Sequence, residues 1–454
     1  MEIKRKIYNK LLEWKNETNG TKALLIEGAR RIGKSTIVEE FGKNEYQSYV
    51  LVDFNKVSKN VRESFEQLNN LDIFFQTLSL EYNVRLHERD TLIIFDEIQK
   101  YPVAREAIKY LVADGRYDYV ETGSLISIRE NVESITIPSE ERKLKMYPID
   151  FEEFLDYMEE EILIDYIKDC FEKGIALEQS MHKKAMHLFK EYLLVGGMPQ
   201  AVVAFKHGGR DFYKADIEKR DILELYRDDI KKAAKKYNSR VSALFENVPA
   251  YLSTHEKRVV LSQLETGATF AKYDDPLFWL DDSMICNLCY KCNDPNVGFA
   301  LNKNDSWVKC YMGDTGLLVS LAFNENEITS QNLYKQIMDE KLSLNEGMLY
   351  ENMIAQMIVA SGRKLYFYTH YSEEKHRNDI EIDFLISNES KTNFKVLPIE
   401  VKSSKNYTTT SLDRFAESFG KKIMAKYIIH PKMFAQTGEV IKLPPYMFPF
   451  VIAK

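Results

Sequence analysis

Eight residues, Gly28-Ala29-Arg30-Arg31-Ile32-Gly33-Lys34-Ser35, match the spacing G-x-x-x-x-G-K-[ST] at every fixed position. The chemistry this pattern serves is the holding of phosphate. Glycines let backbone N–H groups turn inward around an anion, and the following helix adds its positive N-terminus. Lysine and serine then meet the β/γ-phosphates and Mg²⁺. Gly28, Arg30, Gly33, Lys34, Ser35 and Thr36 are therefore the candidate ATP contacts. The flanks suit such a loop, because residues 23–26 form an apolar, strand-like run and residues 36–41 can continue as a helix.

A second pair of chemical residues closes the run Leu92-Ile93-Ile94-Phe95-Asp96-Glu97. A buried strand delivering acids at its carboxyl edge is a Walker B pattern. Asp96 would join Ser35 around Mg²⁺, and Glu97 would polarise the water that attacks the γ-phosphate. The run ending Glu121-Thr122-Gly123-Ser124 brings small hydroxyl residues to the same edge. Ser124 is a candidate for positioning that water or sensing the γ-phosphate, although Ser, Thr and Gly are also ordinary turn residues. Arg30, Arg31, Arg129 and Arg142 are all candidate arginine fingers, and the sequence does not choose among them.

The elements that must position these groups can be read from periodicity. Strand-like runs recur at residues 23–26, 49–54, 91–95 and 117–122 with helix-like segments between them, which implies an α/β fold built on a parallel sheet. The whole chain of 454 residues suggests about three domains. No apolar run approaches the ~18 residues of a membrane helix, and no apolar segment follows the charged start, so a cytoplasmic protein without membrane contact is expected. Five cysteines in so long a chain form no disulfide framework, which agrees with a reducing compartment. A net charge of -7 argues against indiscriminate coating of nucleic acid, yet it leaves room for a local basic groove.

Four segments together resemble an AAA-type family of prokaryotic ATP-binding proteins. They are Gly28 to Ser35, Phe95-Asp96-Glu97-Ile98-Gln99, Thr122-Gly123-Ser124 and Tyr147-Pro148-Ile149-Asp150-Phe151-Glu152-Glu153-Phe154. The resemblance runs the length of the chain. It implies an ATPase core over residues 1–155, a poorly characterised domain over 156–340 and a nuclease-like domain over 341–454.

Residues 156–251 have mostly helical spacing. The run Tyr192-Leu193-Leu194-Val195-Gly196-Gly197-Met198-Pro199 interrupts them and reads as the end of one helix and the start of the next. Residues 240–290 suggest helices followed by strands, a winged-helix module that binds DNA or serves as a lid or spacer. Lys231-Lys232 and Lys235-Lys236, with His255, Lys257 and Arg258 further on, read as a solvated face or as nucleic-acid contacts. Cys286, Cys289, Cys292 and Cys310 could supply an iron–sulfur ligand set, or pack as small hydrophobes in a half-buried strand.

The second chemical constellation lies near the C-terminus. A helix carries Glu351, and two alternating runs hold Asp383 and Glu400-Val401-Lys402. If those runs pair as an antiparallel hairpin about Lys391-Thr392, Asp383 falls opposite Glu400, with Glu400 and Lys402 on one face. Two carboxylates suit an octahedral Mg²⁺, and an adjacent lysine can activate water and stabilise a phosphate, which is phosphodiester-cleavage chemistry. Ordinary cross-strand salt bridges are the other reading of the hairpin. Glu351, Asp383 and Glu400-x-Lys402 resemble the PD-(D/E)xK nuclease superfamily, with Ile382 in place of its proline. The resemblance implies Asp383 and Glu400 as Mg²⁺ ligands, Lys402 assisting attack and Glu351 in support. The expectation is thus an α/β multidomain ATPase with a P-loop AAA-type parallel sheet, a helical and winged-helix middle and a restriction-endonuclease-like end. It would act on DNA, with a protein partner possible. Its alternative is a regulatory switch whose nuclease-like domain binds DNA or protein without cleaving.

Overall fold

Apolar runs that are buried on both faces become central strands of a covered parallel sheet, and the first 147 residues follow that rule. In the computed structural model, residues 3–124, 138–234, 237–265, 267–296, 298–324, 329–339, 346–374, 376–390, 393–404 and 406–453 are described. Arg129, Lys235, Lys236, Asn345, Lys391 and Thr392 lie outside them. The chain forms two compact units, residues 1–147 with 282–284, and residues 148–281 with 285–454. The boundaries drawn from sequence at 155 and 340 stand as a proposal about modules.

The first unit runs α1 (Ile7–Thr18), β1 (Ala23–Glu27), α2 (Lys34–Glu45), β2 (Ser48–Asp53), α3 (Lys59–Ser64), α4 (Leu71–Tyr82), β3 (Thr91–Asp96), α5 (Pro102–Asp114), β4 (Asp118–Gly123) and β5 (Glu141–Lys145). The five strands are parallel in the order β2-β3-β4-β1-β5. Strands β1, β3 and β4 are buried at every residue. Four of these strands sit where periodicity places them. Strand β5, Glu-Arg-Lys-Leu-Lys, escaped notice because four of its five residues are charged, as an exposed edge allows. Aromatic contacts among Phe54, Phe65, Phe74, Phe95 and Tyr101 pack one face of the sheet.

The second unit begins with α6 (Phe151–Tyr157), α7 (Glu161–Lys173), α8 (Gln179–Val195), α9 (Pro199–His207), α10 (Phe212–Ala233), α11 (Asn238–Glu246), α12 (Val248–Ser253) and α13 (Phe270–Asp282). Strands β6 (Cys286–Cys292) and β7 (Lys303–Met312) follow, then α14 (Thr315–Ala322) and α15 (Gln331–Met338). The Asp150 and Glu153 pair of the family-like segment is a reciprocal capping box that starts α6. Gly196 and Gly197 do separate two helices, and their form has a tertiary cause. Gly197 N–H donates to Asp314 Oδ2 at 2.6 Å, and a Cβ on Gly316 would lie 2.2 Å from Val195 O. Nearby, buried Asp216 accepts from Ser320 (2.6 Å), Tyr334 (2.7 Å), Thr329 N–H (2.8 Å) and Arg220 (2.8 Å), tying α10 to α14 and α15.

The remainder is α16 (Glu346–Ala360), β8 (Leu365–Ser372), β9 (Arg377–Ile382), β10 (Phe384–Ser390), β11 (Asn393–Val401), α17 (Thr410–Phe419), β12 (Lys426–Ile429), β13 (Ala435–Thr437), β14 (Val440–Leu443) and α18 (Phe448–Ile452). One sheet has the order β7-β6-β8-β9 and another β10-β11-β12-β14-β13. Strands β9 and β10 are one run interrupted at Asp383. The pairings are antiparallel for β8 with β9 and β10 with β11, and parallel for β11 with β12. The hairpin register, Phe384 opposite Ile399, places Asp383 next to the level of Glu400 as the alternation requires. Strands β6 and β7 pair as expected of a wing, but β6 also pairs with β8, so they are part of a sheet and not a free hairpin. Among the described residues no helix is long and apolar enough to cross a membrane.

Candidate functional site

At the carboxyl edge of the first unit, β1 leads into residues 28–33 and α2 leaves them with Gly33 at φ 93. A Cβ on Gly28 would lie 2.5 Å from Met146 O, so only glycine fits that turn. Lys34 is 8% exposed, and its Nζ donates to Gly28 O and Ala29 O, each at 2.9 Å. Burial pulls the lysine down to about 8, against the opposing pull of Glu97 and Asp96. Ser35 Oγ donates to Asp96 Oδ1 at 2.7 Å, and Thr122 Oγ1 from β4 donates to the same oxygen. Three residues 26 to 87 positions apart thus meet, because β4 lies between β1 and β3.

Glu97, directly after β3, adopts φ 56, a left-handed backbone that costs a non-glycine residue and is concentrated at functional positions. Its carboxylate accepts from Gln99 Nε2. Ser124 follows β4, half-buried, but Thr122 is the hydroxyl that reaches Asp96. Arg30, Arg31 and Thr36 are exposed around the loop. Arg142 lies on β5 and pairs with Glu17 at 2.7 Å. Sequence reasoning missed Arg5, which donates to Ile32 O at 3.0 Å and Tyr147 O at 2.7 Å and so braces the loop. No spacing rule links a residue to partners 27 and 142 positions away.

In the second unit, a cavity of about 280 Å³ is lined by Glu351, Asp383, Lys402, Lys257, Lys309 and Thr369 among others. Glu351, 2% exposed on α16, accepts from Tyr311 OH at 3.0 Å through Oε2 and from Lys257 Nζ through Oε1. Lys309 Nζ lies 3.8 Å from Glu351 and 3.9 Å from Asp383. Asp383 Oδ2 accepts the Val401 N–H at 2.8 Å. Burial and the neighbouring Glu351 charge push the Asp383 carboxyl up. Burial also works to raise Glu351, but the Lys257 and Lys309 ammonium groups prevail and hold it below the usual carboxylate range. Lys402 Nζ is 2.9 Å from Glu400 Oε2, and Glu400, 1% exposed, is not among the cavity-lining residues.

The acids that meet are therefore Glu351 and Asp383, whereas Asp383 and Glu400 had been expected to share Mg²⁺. Glu351 and Asp383 are approached by Lys257 and Lys309, Glu400 is paired with Lys402, and among the described residues no three His, Cys, Asp or Glu side chains are grouped to hold a metal. Arranged thus, these residues do not fit a divalent cation. Lys309 was missed, and Lys257 was read only as part of a basic face, because both come from the middle of the chain. The cysteines also separate. Cys286 pairs with Cys310, Cys289 faces Lys309 and Glu351, and Cys292 Sγ donates to Asp294 O at 2.9 Å. Spacing of three along a strand puts side chains on opposite faces, which rules out a shared cluster there.

Residues 20–155 match the family model described as an AAA domain. The N-terminal unit carries an AAA domain. Residues 186–328 match a domain of unknown function (DUF8612), and residues 346–446 another (DUF4143). No curated protein matches the chain. Among solved structures, the Aeropyrum pernix Orc1 protein in complex with DNA shares 11% identity over 72% of this chain and 94% of its own, with a TM-score of 0.27. Cdc6p from Pyrobaculum aerophilum shares 12% over 74% and 94%, with a TM-score of 0.25. Drosophila ORC bound to DNA shares 12% over 72% and 97%, with a TM-score of 0.27. Likeness at these scores carries no argument about this chain. The AAA domain stands on its family match and its sheet. Its oxygen ligands at Ser35 and Asp96, with Lys34 beside them, suit Mg²⁺ and a nucleoside triphosphate.

Proposed function

We propose that the chain is a Mg-ATP-dependent AAA-type ATPase that works as a switch, its nucleotide state controlling how the nuclease-like second unit engages DNA. The observation that carries the ATPase is the meeting of Ser35, Thr122 and Asp96 beside the buried Lys34. Lys34 and the loop N–H groups hold the phosphates, and Ser35 and Asp96 hold Mg²⁺. Glu97 orients and polarises the attacking water, with Thr122 and Ser124 at the same edge. Bound Mg²⁺ supplies charge neutralisation at the phosphates.

What supports a nuclease-like fold is the run of helix α16, strands β8, β9/β10 and β11, helix α17 and parallel strand β12, carrying Glu351, Asp383 and Glu400-x-Lys402. Lysine neutralisation of its carboxylates favours engagement without cleavage. Metal-dependent cleavage, which would require Lys257 and Lys309 to leave the carboxylates, is the second reading, favoured by Lys402 lining the same cavity as Asp383. Both are tested by one comparison. Lys34→Ala should abolish binding of a fluorescent ATP analogue and any ATP dependence of DNA binding. Lys402→Ala should weaken DNA binding while ATPase activity is unchanged. DNA binding that ignores both ATP and Lys402 rules out the switch. Cleavage of linear, branched or single-stranded DNA in Mg²⁺ or Mn²⁺ by the parent, absent in Lys402→Ala, establishes the second reading instead.

A further inference from the structure

Glu97 leaves β3 half-buried, and the residue that grips its carboxylate, Gln99, is 7% exposed and so lies deeper than the acid it holds. Gln99 Nε2 donates to Glu97 Oε2. The backbone between them is built around that bond. Residues Ile98–Lys100 form one 3₁₀ turn, in which Lys100 N–H donates to Glu97 O at 2.9 Å and Tyr101 N–H to Ile98 O at 3.0 Å. Both ends of the turn are anchored. Ile98 is buried in the core that holds Phe54, Phe65 and Phe95. The Tyr101 ring stacks on Phe54 with centroids 5.5 Å apart, and its OH donates to Arg62 O at 3.0 Å. The left-handed backbone of Glu97, φ 56, is strained for a non-glycine residue, and such strain persists where its surroundings over-determine it. Here the anchored turn does so.

The held carboxylate also lies close to the phosphate-binding lysine. Of the charges that favour the buried Lys34 ammonium, Glu97 acts most strongly, ahead of Asp96. Gln99 therefore fixes Glu97 at the nucleotide site and does not draw it away. An ionised carboxylate has two acceptor oxygens, so with Gln99 on Oε2 the other oxygen can take a water.

We propose that Gln99 is a positioning residue for ATP hydrolysis, its amide holding Glu97 in the orientation that aims the second carboxylate oxygen at the attacking water. The proposal rests on the ATPase reading, with Glu97 as the water-polarising group. An unheld glutamate samples the rotamers of three side-chain torsions, and the anchored amide removes most of that freedom before substrate arrives. Orientation matters to rate because a misplacement of ~1 Å in a reacting group can cost on the order of 10²-fold. Gln99 brings no charge, and Lys34, Ser35 and Asp96 are the residues placed for phosphate and Mg²⁺, so its effect should fall on turnover and not on affinity.

The test is steady-state ATP hydrolysis by the full chain, with Gln99→Met and Glu97→Gln made singly and together. Methionine keeps the length of the side chain and removes the donor. Gln99→Asn, whose amide falls one methylene short, is the second variant, and thermal unfolding with binding of a fluorescent ATP analogue checks that each variant is folded. Gln99→Met should lower kcat on the order of ten- to a hundredfold while nucleotide affinity stays within a few-fold of the parent. Added to Glu97→Gln, it should change the rate by less than about twofold, because no catalytic carboxylate remains to be held. Hydrolysis at or above the parental rate in Gln99→Met overturns the positioning role and leaves the ATPase reading intact. An equal fold-loss in both backgrounds also overturns it, since Gln99 would then act without Glu97. If Glu97→Gln itself hydrolyses ATP as the parent does, the role of Glu97 falls and the proposal with it.

Discussion

Replacing Lys34 with methionine removes one ammonium from the phosphate loop and keeps the apolar stem. In the nucleotide-free protein that ammonium is 8% exposed, and two loop carbonyls accept from it. Burial lowers its pKa from 10.5 to about 8. At about 1.36 kcal/mol per pH unit, this corresponds to roughly 3 kcal/mol of folded-state preference for the neutral amine. Below pH 8 both the folded and unfolded chains hold the proton, and the cost of the buried charge is present in full. Between about 8 and 10.5 the folded chain has released the proton that the unfolded chain keeps, so stability rises with pH. The parent should therefore gain roughly 3 kcal/mol relative to Lys34→Met across that window. Urea titrations can follow Trp14, which is 2% exposed in the first unit, once Trp279 and Trp307 are replaced by phenylalanine. Phosphate charge beside Nζ reverses the shift, so ATP binding above pH 8 should also take up a proton in the parent. A stability difference that stays constant across the window refutes the burial argument.

Other substitutions probe separate parts of the chain. Glu97→Gln should leave ATP affinity within a few-fold of the parent and slow hydrolysis on the order of 10²-fold or more, since it removes the water-polarising base alone. Loss of ATP affinity on that change would place Glu97 in binding instead. Gly316→Ala puts a methyl 2.2 Å from Val195 O, in contact with backbone that cannot swing aside. It should cost on the order of 1–3 kcal/mol, read as a fall of several degrees in Tm, and an unchanged Tm would show that the junction yields.

Much of the nucleotide site is legible in the chain alone because its parts are contiguous. The loop at residues 28–35 and the acids at 96 and 97 are local patterns, and the strands that carry them announce themselves by continuous apolar runs. The hairpin register around Asp383 follows from alternation for the same reason. What periodicity could not show was an edge strand made of charges, Glu141 to Lys145, or which hydroxyl reaches Asp96, since that depends on β4 lying between β1 and β3.

The division is sharpest in the second unit. Residue types, spacing and a family resemblance suggested Glu351, Asp383 and Glu400-x-Lys402 as one constellation; Glu351, Asp383 and Lys402 line one cavity, and Glu400 pairs with Lys402 outside its lining. Only the tertiary structure decided what surrounds them: Lys257 and Lys309, 94 and 42 residues before Glu351, are folded onto its carboxylate. The physical reason is that a local pattern specifies which charges a segment presents. Which opposite charges are buried against them is set by packing between segments far apart in the chain, because a buried carboxylate requires a partner from whatever element covers it.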